Sequence, residues 1–262
     1  MKPPIVAMLL LGALAPNGPL DRLPQDRAGE IVRRAIDYAG GFDTWTAKRA
    51  LQFRKTTIHH RPDGTIERKR VQLHRYVLQP RLHARIEWDE DGQKIVLIND
   101  GFQAWKTVDG VVTMATPDRN EARNATFGSH YVFNMPFKLA DPGAHLAYAG
   151  REKLADGIVA DKVRVTYDKG AGDAGGLHTW TYYFDTKSGR LCANNLNYGP
   201  GKYDFTEYLD DKPMDGLRLS TRRYGYEADA KAKKGPKASE IVYEEVRWDV
   251  PFDKALFASP EK

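Results

Sequence analysis

Histidines and carboxylates are spaced in this chain so that three kinds of chemistry can be tested against them. The first is metal binding. His59 and His60 are adjacent, and neighbouring side chains on an extended strand point to opposite faces, so the two cannot close on one ion. Beside a hairpin tip they read as solvent-exposed. His74, His83 and Glu87 form the best constellation of ligand types. His83 and Glu87 share a strand face, yet their Cα atoms would lie about 13 Å apart, too far for one metal without a ligand from a neighbouring strand. No metal site and no cofactor are expected. The second is acid–base or nucleophilic catalysis. Asp141, His145 and His178 are scattered, and no nucleophile motif such as G-x-S-x-G accompanies them. The third is phosphate or nucleic-acid binding. The glycine cluster Gly170–Gly176 leads into a strand rather than a helix and reads as a loop. The basic runs Arg68–Arg70 and Lys231–Lys237 are not interleaved with aromatics as a base-stacking surface would be, so no nucleic-acid partner is expected. Asn124-Ala125-Thr126 matches a glycosylation sequon, a pattern that often arises by chance.

The richer signal lies in the strands. Val77–Thr107 reads as a run of antiparallel strands joined by Asp91-Gly92 and Asn99-Asp100-Gly101. Glycine supplies the positive φ that such tight turns need. Upstream, Asp26 is placed to cap a helix from about Ala28 to Tyr38, because Ile31, Val32, Ala35, Ile36 and Ala39 fall on one helical face. Gly40-Gly41 then stops it. Ala50–His60 and Thr65–Leu78 flank the turn Arg61-Pro62-Asp63-Gly64 as a long hairpin. The first half of 117–137 has helical character, with Pro117 suited to a first turn. Further strands alternate from Val163 onward, through Trp180–Phe184, Arg190–Tyr198, Tyr203–Leu209, Leu217–Tyr226 and Ile241–Trp248. Ala228–Ser239 reads as a flexible basic loop guarding a sheet edge.

This pattern predicts a mainly β (α+β) fold. It consists of a single curved antiparallel sheet of about ten or eleven strands, forming an unclosed β-barrel with an N-terminal helix and a helical lid segment. Period-two strands leave one apolar face, and few helical segments are available to cover it. Phe53, Trp88, Trp105, Phe133, Phe137, Trp180 and Phe184 are the candidate lining of a ligand cavity on that face.

Length and charge set the outer limits. A chain of 262 residues is long enough to fold as one domain without a disulfide or metal, and the single Cys192 cannot form an intramolecular bridge. The net charge of +5 is mild and favours contact with anionic surfaces such as phospholipid headgroups. At the start, Lys2 precedes an apolar run, Ile5–Ala15, that ends in an A-x-A motif and is too short to span a bilayer. Residues 1–19 are therefore expected to be a signal segment, and residues 20–262 a single unclosed-barrel domain in the periplasm or another extracytoplasmic space.

Four features together resemble the periplasmic lipoprotein-carrier (Lol-like) superfamily. An N-terminal helix leads into long strands. Pro80 initiates a strand carrying Arg85, followed by Asp100-Gly101 and Trp105. Tyr182–Leu191 (YYFDTKSGRL) matches the family's strand–Asp–Gly–strand hairpin, and Val250–Pro260 matches its usual C-terminus. The likeness spans about residues 28–260 and is a pattern of turns and aromatics. It implies an unclosed barrel with a helical lid over an apolar cavity, and a non-enzymatic carrier for a lipid or acylated molecule, acting as a monomer. Transient contact with anionic membrane or envelope proteins would accompany this role. The family commonly has a basic residue just before the proline. Here it is Gln79, which points toward a general lipid binder rather than a strict lipoprotein carrier. Two other readings stay open at this stage: a small hydrolase or other enzyme using His/Asp residues at the cavity mouth, and a sensory or interaction module of the cell envelope.

One expectation can be checked directly. The mature protein should begin between Pro16 and Leu20 and be found outside the cytoplasm. N-terminal sequencing after cell fractionation tests this, and an intact Met1 in the cytosolic fraction would refute it.

Overall fold

In the computed structural model, which describes residues 18–173 and 175–258, thirteen strands pair into one antiparallel sheet that does not close on itself. The first six are β1 (Ala50–His60), β2 (Ile66–Val77), β3 (His83–Glu90), β4 (Gln93–Asn99), β5 (Ala104–Val108) and β6 (Val111–Thr113). The rest are β7 (Ala144–Lys153), β8 (Val159–Tyr167), β9 (Thr179–Asp185), β10 (Leu191–Gly199), β11 (Lys202–Met214), β12 (Leu217–Ala228) and β13 (Lys234–Trp248). The helices are α1 (Arg27–Tyr38), α2 (Phe42–Thr46) and α3 (Thr116–Phe133), with 3-10 turns at Pro19–Arg22, Phe137–Ala140 and Lys254–Phe257.

The spatial order is β6-β5-β4-β3-β2-β1-β13-β12-β11-β10-β9-β8-β7. The sheet is thus two meanders joined at its centre, where the first strand pairs with the last. Tight turns build it as their chemistry requires. Asp91, Asp109 and Asp215 have φ of 52°, 49° and 51°, and the glycines that follow have φ of 80°, 81° and 86°. Two successive positive φ values are the signature of the hairpin turn whose twist matches that of the strands. Register shifts in the β1–β13, β12–β13, β9–β10 and β7–β8 pairs add local bends.

Two expectations need correction. The sheet has thirteen strands, more than the sequence pattern suggested. The strand with no counterpart in the pattern is β7, an edge strand whose residues are mostly exposed and so carry little apolar alternation. The basic segment 228–239 is not an edge guard. Its second half is the start of β13, which pairs with both β1 and β12 in the middle of the sheet. The free edges are β6 and β7.

Those edges are consecutive in the chain, so the segment joining them must pass from one side of the sheet to the other. It does so across the inner face as α3. The first half of α3 rests on β3, β4 and β5, where the buried, small Ala122 allows close approach to Ile86, Trp88, Ile95, Leu97 and Ala104. Thr126 accepts a hydrogen bond from Asn99 Nδ2 at 3.2 Å, and Lys106 pairs with Glu121 at 3.0 Å. At the start of α3, Pro117 fits the first turn and Asp118 complements the helix dipole, while no side chain caps the helix.

The other half of the inner face is covered by α1, which packs on β7 and β8. Asp26 accepts from the backbone N–H groups of Ala28 (2.9 Å) and Gly29 (3.1 Å), and Ala28, Ile31, Val32, Ala35 and Ile36 are buried. Arg27 and Arg151 reach the buried Asp161 at 2.8 and 2.9 Å. The exit of α1 is tied to the β11–β12 turn by Arg218 N–H donating to Ala39 C=O at 2.9 Å. Gly40 sits there with φ of 110°, and a Cβ would stand 2.2 Å from the Gly216 carbonyl oxygen. Gly41 also has positive φ but open space around it. Gly40→Ala should therefore cost about 1–3 kcal/mol or more through strain and displaced backbone, and clearly more than Gly41→Ala. Paired urea unfolding curves check the order, and equal losses would contradict it.

Candidate functional site

The strand registers place one set of side chains on the helix-covered face. Leu51, Phe53 and Lys55 of β1 lie opposite Tyr76, His74 and Gln72 of β2. Lys55 lies opposite Tyr243 of β13, and Arg223 of β12 opposite Ile241. Alternation puts all of these on a single face. The C-terminal half of α3 lies directly over them. Phe133 stacks on Phe53 (ring centroids 4.5 Å) and meets Tyr243 edge-on (4.9 Å). Phe53 also stacks on His74 at 4.7 Å, and His130 lies against Tyr76 at 5.5 Å.

The seven aromatics expected to line a cavity divide into three groups. Phe53, Phe133, Phe137, Trp180 and Phe184 belong to the main core with α1. Phe137 stacks flat on Trp45 at 5.3 Å and Trp180 on Tyr182 at 5.5 Å. Trp88 packs in a second cluster beneath the first half of α3. Trp105 lies on the other side of the sheet, with Val96 and Ile98, because its partner on β4 is Ile98 rather than an inward residue. A one-residue change of parity reverses the face of a strand residue. Trp105 therefore does not share a volume with Phe133. Arg85 lies on that outer face as well, where it pairs with Glu87 at 2.9 Å and donates to Leu256 C=O at 3.3 Å, holding the C-terminal turn.

The inner aromatics are packed against each other rather than around open space. Phe53, Phe133, Phe137 and Phe184 are all 0% exposed. A hollow of about 20 Å³ lies among Tyr38, Met135, Arg190, Tyr208, Asp211 and Arg223, room for roughly one water molecule. In this conformation α3 fills the site.

Charge is present in this layer where sequence reasoning did not look for it. Arg223 is 4% exposed. Its guanidinium lies 4.5 Å from the Tyr208 ring and 5.1 Å from the Tyr243 ring. It donates through Nη2 to the Val132 carbonyl at 2.9 Å, one of the last-turn carbonyls of α3 that have no helical partner. Lys55 contacts Ser129 Oγ at 3.4 Å. Neither cation forms a salt bridge among the described residues. Burial, then the charges of Arg223 and Arg70, push the Lys55 ammonium down to about 8. Burial, then Lys55, holds His74 well below the usual histidine range, and burial, then Lys138, pushes His130 down to about 3. Both imidazoles are thus neutral near pH 7.

The remaining candidates do not assemble into a catalytic group. Asp141 pairs with Lys138, His145 with Asp168 at 2.7 Å, and His178 with Asp173 at 2.9 Å. His74 lies opposite Ile86, so it faces inward while Glu87 faces outward, paired with Arg75 at 2.6 Å. Among the described residues, no three His, Cys, Asp or Glu side chains are grouped to hold a metal ion. Gln79 accepts from Arg49 Nη1 at 2.6 Å and donates to the Thr46 carbonyl, tying α2 to the start of β1. The end of α3 is held by Asn134, which accepts from Trp45 Nε1 at 2.9 Å and donates to His130 C=O at 2.8 Å.

Known proteins share this architecture. Residues 114–203 match the family described as "Family of unknown function (DUF6503)". Among curated proteins, no sequence matches the chain. A DUF1329 family protein from Desulfovibrio piger superposes with a TM-score of 0.58 at 13% identity, covering 89% of this chain and 98% of that one. A LolA superfamily protein from Nitrosomonas europaea gives 0.55 at 13%, covering 88% and 97%. A putative outer membrane lipoprotein-sorting protein domain from Vibrio parahaemolyticus gives 0.52 at 9%, covering 86% and 97%. The chain thus has the Lol-like unclosed-barrel fold.

The half-buried Lys55 generates a prediction with a defined sign. Its folded-state pKa lies below its ordinary value of 10.5, so the charged form opposes folding. That penalty is fully present below about pH 8 and is relieved as pH rises from there toward 10.5. Lys55→Met should be more stable than the parent at pH 6.5, and the gap should narrow by pH 9.5. Denaturant titration at both values checks this; a destabilised variant at pH 6.5 would contradict it.

Proposed function

We propose that this chain is an extracytoplasmic, monomeric carrier or binding protein that shields the acyl part of a lipid or lipid-modified molecule between the inner face of its sheet and α3. The observation that carries this reading is the path of α3. It joins the two free edges of an unclosed sheet by crossing the inner face, and what it covers is an apolar surface, mainly aliphatic around Trp88 under its first half and aromatic under its second. Its first half is seated mainly through small residues, and its start has no side-chain cap. A segment bound in this way can lift without dismantling the strand pairing beneath it. An acyl chain would then take the place of Phe133 against Phe53 and Tyr243.

The magnitudes permit this exchange. Burying about ten methylenes draws about 8 kcal/mol, comparable with the total stability of an ordinary domain, so a ligand of this length can offset the displacement of one helix. The lipoprotein-sorting and LolA superfamily neighbours share this fold, which supports the reading, as does the apolar run Ile5–Ala15 for export. That run lies outside the described residues.

The complete packing of the inner face favours one other reading, an envelope interaction module that pairs a partner along the free edge β6 or β7. The two separate in one experiment. Protein purified from its native compartment without detergent is extracted with organic solvent for mass spectrometry, and the stripped protein is titrated with a fluorescent fatty-acyl probe. A carrier should yield acyl species in near-stoichiometric amount and rebind the probe. An empty extract together with no probe binding would leave the interaction module.

A further inference from the structure

Lys55 and Arg223 carry charge in this layer with no carboxylate partner among the described residues. Two like charges in a layer of Phe53, Tyr208, Phe133 and Tyr243 lose hydration and repel each other. Hydrophobic replacements of similar volume commonly leave a fold as stable or more so. Elsewhere on the sheet the cations are paired: Arg70 with Glu90 at 2.5 Å, Arg75 with Glu87 at 2.6 Å, Arg222 with Glu240 at 2.6 Å and Lys106 with Glu121 at 3.0 Å. The inner pair differs in having no carboxylate partner among the described residues.

Its hydrogen-bonding capacity is also unspent. A guanidinium has five N–H donors and an ammonium three. Arg223 makes one bond, to Val132 C=O, and its buried Nε has no partner. Lys55 makes one long contact with Ser129. The buried His74 Nε2, on the same face, has none. Tyr243 ties the two cations together, since it lies opposite Lys55 in the sheet and beneath the Arg223 guanidinium. The guanidinium carbon lies over both tyrosine rings, and the N–H donors not used by Val132 are the ones an oxyanion could take.

We propose that Lys55 and Arg223 form the headgroup anchor of the acyl site, binding an anionic oxygen headgroup, carboxylate or phosphate, whose chain lies under the C-terminal half of α3. This deepens the carrier reading and rests on it. The closed state already holds a weaker substitute for such a headgroup. The carbonyl end of α3 carries partial negative charge, and Val132 C=O occupies one Arg223 donor. A full anion makes a stronger, charge-assisted bond to the same guanidinium. As it takes over that donor it releases the last turn of α3, so headgroup capture and opening for the chain are one exchange.

The test uses the delipidated full chain with cis-parinaric acid, its methyl ester and inorganic phosphate. The wild type should bind the acid at least about tenfold more tightly than the ester, as one charge-assisted hydrogen bond can provide. Arg223→Met and Lys55→Met should each bring the acid-to-ester ratio toward one. Arg223→Lys, which keeps the charge, should retain part of the preference even where a methionine variant folds poorly. Equal affinity of the wild type for acid and ester would overturn the anchor while leaving the carrier reading intact. No binding of either probe would remove both. A rise in melting temperature with phosphate alone, lost in Arg223→Met, with no preference for acid over ester, would assign the cations to a free anion and overturn the headgroup role.

Discussion

An antiparallel sheet that curls without closing leaves one face apolar along its whole width, and the rest of this structure depends on covering that face. A barrel covers its inner face by closing. Here β6 and β7 stay apart, so helices must do the work. The two edges are consecutive in sequence, and their connection is therefore free to become the cover. The same constraint explains the uneven construction of the two helices. Helix α1 has a side-chain cap, an apolar face and an arginine–aspartate tie to β8. Helix α3 begins uncapped, rests through small residues on β3 to β5, and stacks its own ring on the sheet only near its end, at Phe133.

That gradient along α3 gives the inner layer its character. Under the first half lies Trp88 with aliphatic neighbours. Under the second half lie stacked rings and two cations that bond only to a hydroxyl and a backbone carbonyl. Burial keeps the nearby histidines neutral and weakens the proton affinity of Lys55. The layer therefore sets two cationic side chains beside two neutral imidazoles. The scattered His–Asp contacts at Asp168 and Asp173 lie in separate pairs.

The motif residues behind the family likeness have a different task. Arg85 and Trp105 sit on the outer face, aligned through Ile98, and Arg85 holds the C-terminal turn in place. They secure the wall of the unclosed sheet and do not touch the aromatic layer within. A likeness carried by such residues speaks for the scaffold, while the inward positions Lys55 and Arg223 are not part of the motif.

The sequence by itself determined the local structure. Asp-Gly pairs required positive-φ turns, alternation required strands, Asp26 and the apolar spacing required α1, and the scarcity of helices for so many strands pointed to an unclosed sheet. These signals act over a few residues, so they survive without knowledge of the partners. Three matters needed the tertiary structure. An edge strand such as β7 has no second neighbour to impose a pattern, so it was not legible. The face on which Trp105 falls depends on register across β4, since a shift of one residue moves a side chain from one side to the other. Finally, Lys55 and Arg223 are far apart in the chain and ordinary as residue types. Only the pairing of β1 with β13 and β13 with β12, followed by α3 lying across them, brings the two cations into one layer, with Arg223 buried and Lys55 half-buried, where they have less of the water that would otherwise have made their charge ordinary.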